Sequence, residues 1–295
     1  MELLLPLEGL RSPALDAFFM AVTQLGGESA LLAAVLLLYW CVDKRAGLHL
    51  ALIYFVSGLF GQLLKLCFLV PRPFVLDARL QPVKEALPTA TGYSFPSGHA
   101  AAAGSLAVGL GAWLKRRWVW VLALLYALLV GFSRLYLGVH SLRDVLCGLV
   151  LAALAARLVT ALEGAPNGER WIFRLGLCGA ALLCAFALLR STLGVPPEMT
   201  ADALKTAGAA FGLLLGWRAE RRFVRFEAAA PPLAQALKLL SGLLIAVGLK
   251  EGLAALLGAA SPFMALGYAV LVFYLVAGHP FFFQKAMEKA KKAKG

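Results

Sequence analysis

In the run ALIYFVSGLFGQLLKLCFLV a lysine, Lys65, interrupts an otherwise apolar stretch, and Arg72 follows seven residues later between Pro71 and Pro73. A charged side chain inside a membrane helix costs roughly 2.5–3.5 kcal/mol on insertion scales, so Lys65 needs a reason beyond composition. Its plain alternative is an ammonium that snorkels to the interface. Seven residues are two helical turns, which would place both cations on one face before the prolines end the helix. A second stretch, SFPSGHAAAAGS, sets Pro96, Ser97, Gly98 and His99 before a run of small residues. That pattern starts a helix, and the unpaired N–H groups near Ser97, Gly98 and His99 would point at any anion bound at the helix N-terminus. Gly98 would let an oxyanion approach the backbone closely. In the third stretch, SRLYLGVHSLRD, Arg134 and His140 flank Gly138, and Asp144 lies four residues beyond His140. On a helix that pair shares a face, so the carboxylate can accept the imidazole N–H and leave the other ring nitrogen free to attack.

Any one of these stretches has an ordinary reading: an interfacial lysine, a turn with an incidental histidine, a polar pair closing a helix end. Together they supply three cations, a helix start with free donors and two histidines. Such a set could hold an anion and offer it a nucleophilic ring nitrogen. No clustered carboxylates of the kind that hold magnesium or calcium accompany them, so neither a metal nor another cofactor is called for.

The elements that must position these residues are transmembrane helices. Apolar residues make up 61% of the 295-residue chain, and mean hydropathy is +0.81. Such a composition belongs to a polytopic membrane bundle, an all-α fold. Apolar runs separated by charged clusters predict about nine spans, at roughly 28–43, 46–70, 99–115, 118–138, 140–162, 172–190, 201–218, 234–257 and 261–278. The net charge of +12 sits in short clusters between runs, not along one face, which argues against nucleic acid and for cytoplasmic loops. Lys44-Arg45, Lys115-Arg116-Arg117, Arg157 with Arg170 and Arg174, Arg218 to Arg225, and the tail QKAMEKAKKAKG are therefore expected inside. The segment 71–98, the turn at His140, the STLGVPPEMT loop and the GAASP turn are expected outside. The acidic start lacks the basic region of a cleaved signal peptide and reads as interfacial. EGAPNGER, beginning at Glu163, marks a change in character, dividing a catalytic core (1–165) from four added membrane helices with a basic tail (166–295).

With these residues in hand, the sequence resembles the type 2 phosphatidic acid phosphatase (PAP2) superfamily, in its membrane lipid phosphatase branch. KLCFLVPRP, PSGH and SRLYLGVHSLRD occur in order with their expected internal spacings, and the likeness covers about residues 28–162. The resemblance implies that Lys65, Arg72, Ser97, Gly98 and Arg134 hold the phosphate. It implies that His140, oriented by Asp144, attacks phosphorus to give a phosphohistidine, and that His99 protonates the leaving oxygen and then activates water. The implied activity is metal-independent hydrolysis of a lipid phosphate or diphosphate in the cell membrane. Three other readings stay open at this point: a vanadium haloperoxidase built on the same constellation, a lipid phosphotransferase, and a transporter or flippase in which Lys205, Lys238 and Lys250 with Glu251 are the intramembrane charges.

The remaining polar residues read as structural. His49 and His279 have no partner motif and read as interfacial. Glu28 and Asp43 cap the first span, and Cys41, Cys67, Cys147, Cys178 and Cys184 read as core packing. The lysine–aromatic tail would rest on anionic lipid. The charge bias places the site on the non-cytoplasmic face with the C-terminus inside. A lysine within a helix favours a substrate whose phosphate lies at the interface. Arg79 and Lys84, in the segment between the first two motifs, are positioned to meet a second phosphate, which favours a polyprenyl diphosphate such as undecaprenyl diphosphate over phosphatidic acid, phosphatidylglycerol phosphate or a sphingoid-base phosphate.

Overall fold

A computed structural model describes residues 3–258 and 261–292, and among them there is no strand. The helices are α1 (Leu4–Gly9), α2 (Pro13–Leu25), α3 (Glu28–Leu37), α4 (Lys44–Phe68), α5 (Pro73–Leu76), α6 (Gly98–Leu114), α7 (Arg117–Tyr136), α8 (Leu142–Gly164), α9 (Gly168–Thr192), α10 (Pro197–Ala219), α11 (Pro232–Leu257), α12 (Met264–Phe273) and α13 (His279–Lys292). Ala259 and Ala260 of the expected GAASP turn, and the last three residues of the tail, lie outside the described residues. Local signals set many of these limits. Ser12, Asp43 and Ser97 cap α2, α4 and α6 with side-chain oxygens, and Pro opens α2, α5, α10 and α11, where its missing N–H costs nothing.

Six stretches are long and apolar enough to cross a membrane, seven if α2 and α3, bent by 43° at their junction, count as one. The chain is a multi-pass membrane protein. All nine expected spans correspond to helical stretches, but α6 and α10 fall outside the set that length and composition identify. The physical reason differs for each. At 17 residues α6 rises about 26 Å, short of a hydrocarbon core of about 30 Å. Its Ala100 to Ser105 are buried in protein, not in lipid. The longer α10 carries Glu198, Asp202 and Lys205 and is likewise buried along most of its length.

Small residues let these two helices sit at the centres of their bundles. A Cβ on Gly104 of α6 would lie 2.8 Å from the Ala152 methyl of α8, so the two helices nearly touch. On α10, Gly208 and Gly212 approach α12 still more closely: added Cβ atoms would stand 1.8 Å from the Ala265 carbonyl oxygen and 2.3 Å from that of Ala269. Gly216 continues the same four-residue spacing against Val276 and Phe273. Where no hydrophobic force drives helices together, such stripes supply the close packing that does.

The two halves share one core. Trp40, Ile53 and Val159 pack with Leu213, Trp217 and Leu275 in a single buried cluster. Near Trp40, three wide helical turns (Leu38–Val42, Glu220–Val224 and Tyr274–Gly278) lie next to this seam. Tyr39 Oη donates to the Val276 carbonyl at 3.1 Å, Trp40 Nε1 donates to that of Leu275 at 3.0 Å, and Lys44 pairs with the buried Glu220 at 2.8 Å. Lys238, read from sequence as an intramembrane charge, donates to the Trp40 carbonyl at 2.8 Å and serves packing.

Several local expectations are corrected. The first motif helix ends at Phe68, where Leu69 takes a left-handed conformation, so Arg72 lies beyond the helix and shares no helical face with Lys65. His279 is buried, stacked 4.5 Å from Trp40 and bonded to the Lys238 carbonyl. His49 pairs with Glu163 at 2.7 Å. Cys67 and Cys178 are exposed, not packed in the core, and all five cysteines are free thiols.

Candidate active site

The three motifs meet at one end of the bundle. Lys65 sits in the last turn of α4 and Arg72 in the extended segment after it. The PSGH motif forms the N-terminus of α6, and His140 lies in the turn between α7 and α8. That turn depends on Gly138, whose φ of +75° is a left-handed conformation; a Cβ there would also stand 2.7 Å from the Arg11 guanidinium. Arg11 holds the turn from outside, donating to the Tyr136 carbonyl at 3.1 and 3.2 Å and to that of Gln81.

His140 is 2% exposed. Arg72 Nη1 donates to its Nε2 at 2.8 Å, so Nε2 carries the lone pair and Nδ1 the proton. Burial, and then the positive charge of Arg72, push the His140 pKa well below the ordinary histidine value. The ring is therefore neutral, with the Nε2 lone pair turned towards Arg72. On its other side the Asp144 carboxylate is 3.7 Å from Nδ1, longer than a hydrogen bond. Shared helical residence does not bring this pair together, because α8 starts only at Leu142. Asp144 accepts the Ser141 N–H at 2.8 Å, which folds the carboxylate back towards His140. Ser94 then bridges, donating to Asp144 Oδ2 at 2.7 Å while lying 3.5 Å from His140 Nδ1. Ser94 sits three residues before Ser97 and carries no signal in the sequence. A buried serine beside a carboxylate has no spacing signature of its own.

A strap of residues 91–94 organises the cations. Lys65 Nζ donates to the Tyr93 carbonyl at 2.5 Å, and Arg72 donates to those of Gly92 at 3.2 Å and Thr91 at 2.5 Å. Gly92, with φ +60°, makes the turn that lets these oxygens face inward. From the other side the Thr91 hydroxyl donates to Asp202 of α10 at 2.6 Å, and Asp202 pairs with Lys205 at 3.6 Å. The added helices therefore touch the site.

Arg134 is fully buried one layer behind. It donates to the Thr23 and Thr89 hydroxyls at 2.8 and 3.1 Å, while its Nε and Nη2 are buried without a partner among the described residues. Ser97 is buried as the cap of α6, its Oγ 3.4 Å from the Ala100 nitrogen. The space beside Gly98 is open: a Cβ there would meet no protein atom within 4 Å.

Lys65, Arg72, Ser97, Gly98, His99 and His140 all line one cavity of about 570 Å³. Asp202 and Lys205 also line it, as do the apolar side chains of Leu32, Val35, Phe55, Val272 and Leu275. Arg79 and Lys84 are not among the lining residues. Arg79 is bound by Asp77, whose carboxyl it pushes down to about 2. Among the described residues no three His, Cys, Asp or Glu side chains gather as they would around a metal ion.

Fold and site thus define a helical membrane protein with a cavity lined by lysine, arginine and histidine side chains. The chain matches the PAP2 superfamily over residues 46–166 and the "PAP2 superfamily phosphatase, transmembrane extension" over residues 204–292, and it belongs to the PAP2 superfamily. It is 32% identical over 128 residues to an undecaprenyl-diphosphatase of Sulfolobus acidocaldarius, covering 43% of this chain and 60% of that one. It is 32% identical over 126 residues to undecaprenyl-diphosphatase BcrC of Bacillus subtilis, covering 41% and 62%. With phosphatidylglycerophosphatase B of Bacillus subtilis it shares 29% identity over 163 residues, covering 51% and 76%. The first two alignments thus span about three-fifths of those relatives.

Proposed function

We propose that this protein is a lipid phosphate phosphatase that works through a phosphohistidine on His140, with a polyprenyl diphosphate as its preferred substrate. The observation that carries this reading is the buried His140, set between a cation on Nε2 and the Ser94–Asp144 pair on Nδ1, at the wall of a cavity lined by both cations and apolar side chains.

A phosphate entering the cavity takes over the Arg72 donor that otherwise rests on Nε2. Lys65 and the Gly98 and His99 N–H groups neutralise its oxygens, with the buried Arg134 charge behind them, supplying the charge stabilisation that a metal gives elsewhere. His140 Nε2 then forms a bond to phosphorus as the bond to the leaving oxygen breaks, and His99 gives that oxygen a proton. Water next attacks the phosphohistidine, passes its proton to His99, and the P–N bond breaks. Free phosphate leaves and both histidines return to their starting states. Asp144, acting through Ser94, favours the proton on Nδ1 through both steps.

An amphiphile suits this cavity, because its apolar side chains offer a path for a hydrocarbon chain while the phosphate stays near the helix ends. Two of the relatives are named as undecaprenyl-diphosphatases and one as a phosphatidylglycerophosphatase, which supports a substrate carrying two phosphates. The basic clusters at Lys44-Arg45, Lys115–Arg117 and Arg218–Arg225 favour a cytoplasmic location for the opposite end, and so a site on the outer face with the C-terminus inside.

Purified protein is expected to release phosphate from undecaprenyl diphosphate with a chelator present, and vanadate, which imitates the five-coordinate transition state, to inhibit competitively. His140→Ala should abolish release. Undiminished activity in that variant would contradict the proposal.

A further inference from the structure

The extension's Lys205 stands two turns into α10 (Pro197–Ala219) and lines the same cavity. An ammonium there is costly unless something in the cavity uses it. Its one ion pair, with Asp202, is a loose 3.6 Å, and both side chains keep about a quarter of their surface open (25% and 30%). Asp202 is itself fixed by the Thr91 hydroxyl, whose residue carries the carbonyl that holds Arg72. One residue of the strap therefore sets the distance between the reacting-phosphate cations and Lys205.

From this arrangement we infer that Lys205 is a specificity-determining residue: it binds a second phosphate group on the same lipid, next to the one that His140 attacks. This rests on the phosphatase reading and deepens it. The reacting phosphate has Lys65, Arg72 and Arg134. Lys205 is a further cation, carried by a different helix and separated from that set by Thr91 and Asp202. Arg79, which sequence spacing offered for this role, is exposed and bound by Asp77. A substrate with one phosphate leaves Lys205 facing only protein carboxylates, Asp202 beside it and Glu28 in the same cavity wall. A substrate with two fills the position, and in a diphosphate the second phosphate is also the leaving group, whose developing charge Lys205 would steady.

The test compares kcat/KM of the purified full chain on undecaprenyl diphosphate, phosphatidylglycerol phosphate and phosphatidic acid. Because the readout is a ratio between lipids, a partly misfolded fraction cancels. Lys205→Met should lower the ratio of undecaprenyl diphosphate to phosphatidic acid about tenfold, while Lys205→Arg should keep it within about threefold. A parallel fall for phosphatidylglycerol phosphate would assign the subsite to any second phosphate, and a fall confined to the diphosphate would assign it to the anhydride. Ratios unchanged for both two-phosphate lipids, with the wild type active, would overturn the subsite alone. Absence of phosphate release from all three lipids would overturn the reading beneath it.

Discussion

The region that matches the PAP2 superfamily and the transmembrane extension use one packing device for different ends. Each has a central helix of small residues pressed against a neighbour, α6 on α8 through Gly104 and α10 on α12 through Gly208 and Gly212. In the core that helix begins at the cavity, so its free N–H groups and His99 become part of the site. In the extension the central helix passes beside the cavity and presents side chains only, with Asp202 and Lys205 at its edge. Close packing fixes where a helix lies; where it starts decides whether its backbone can do chemistry.

Glycine substitutions should separate these roles most sharply. Gly208→Leu forces a side chain into the Ala265 carbonyl, and overpacking of that kind costs about 3 kcal/mol or more. A large drop in thermal stability in detergent is expected, with loss of folded protein. Gly98→Ala meets no protein atom, so stability should stay near wild type while its methyl occupies ligand space and lowers kcat/KM about tenfold. Equal stability losses in the two variants would erase the distinction between packing glycine and site glycine.

A smaller effect tests the tie between the halves. Removing a hydrogen bond to a charged group costs roughly 1.5–3 kcal/mol, part of which the strap recovers through its other contacts. Asp202→Ala should therefore lower kcat/KM for phosphatidic acid about fivefold. Asp202→Asn, which still accepts the Thr91 hydroxyl, should stay within twofold. Using a monophosphate substrate keeps Lys205 out of the measurement. If Asn is as damaging as Ala, the strap is not held through that bond.

Much of the core site could be read from sequence because its residues lie within a few positions of one another, and the motifs fix their spacing. Lys65 with Arg72, Pro96 to His99, and His140 with Asp144 are all of this kind. Ser94, Thr23 and Thr89 could not be read in the same way. Thr23 meets Arg134 across 111 residues, as Thr91 meets Asp202 across another 111, and single hydroxyls at such separations leave no pattern. The helix-face argument for His140 and Asp144 reached a close pair for the wrong reason, since a capping interaction at Ser141 brings them together. Each span counted from sequence falls on a helix, but counting missed α1, α2, α5 and α13 and could not distinguish α6 and α10, which are buried by protein, from helices bathed in lipid. Composition reports that a helix avoids water, and is silent on what replaces it.

If His140 is the nucleophile, phosphorus must rest on it during every turnover. Rapid base quenching during turnover of undecaprenyl diphosphate carrying a radiolabelled terminal phosphate should trap label on the protein, stable to base, labile to acid, and located in the peptide that contains His140; the His140→Ala protein should carry none. Label on another residue, or turnover with no protein-bound phosphate at any quench time, would rule out a phosphohistidine at His140.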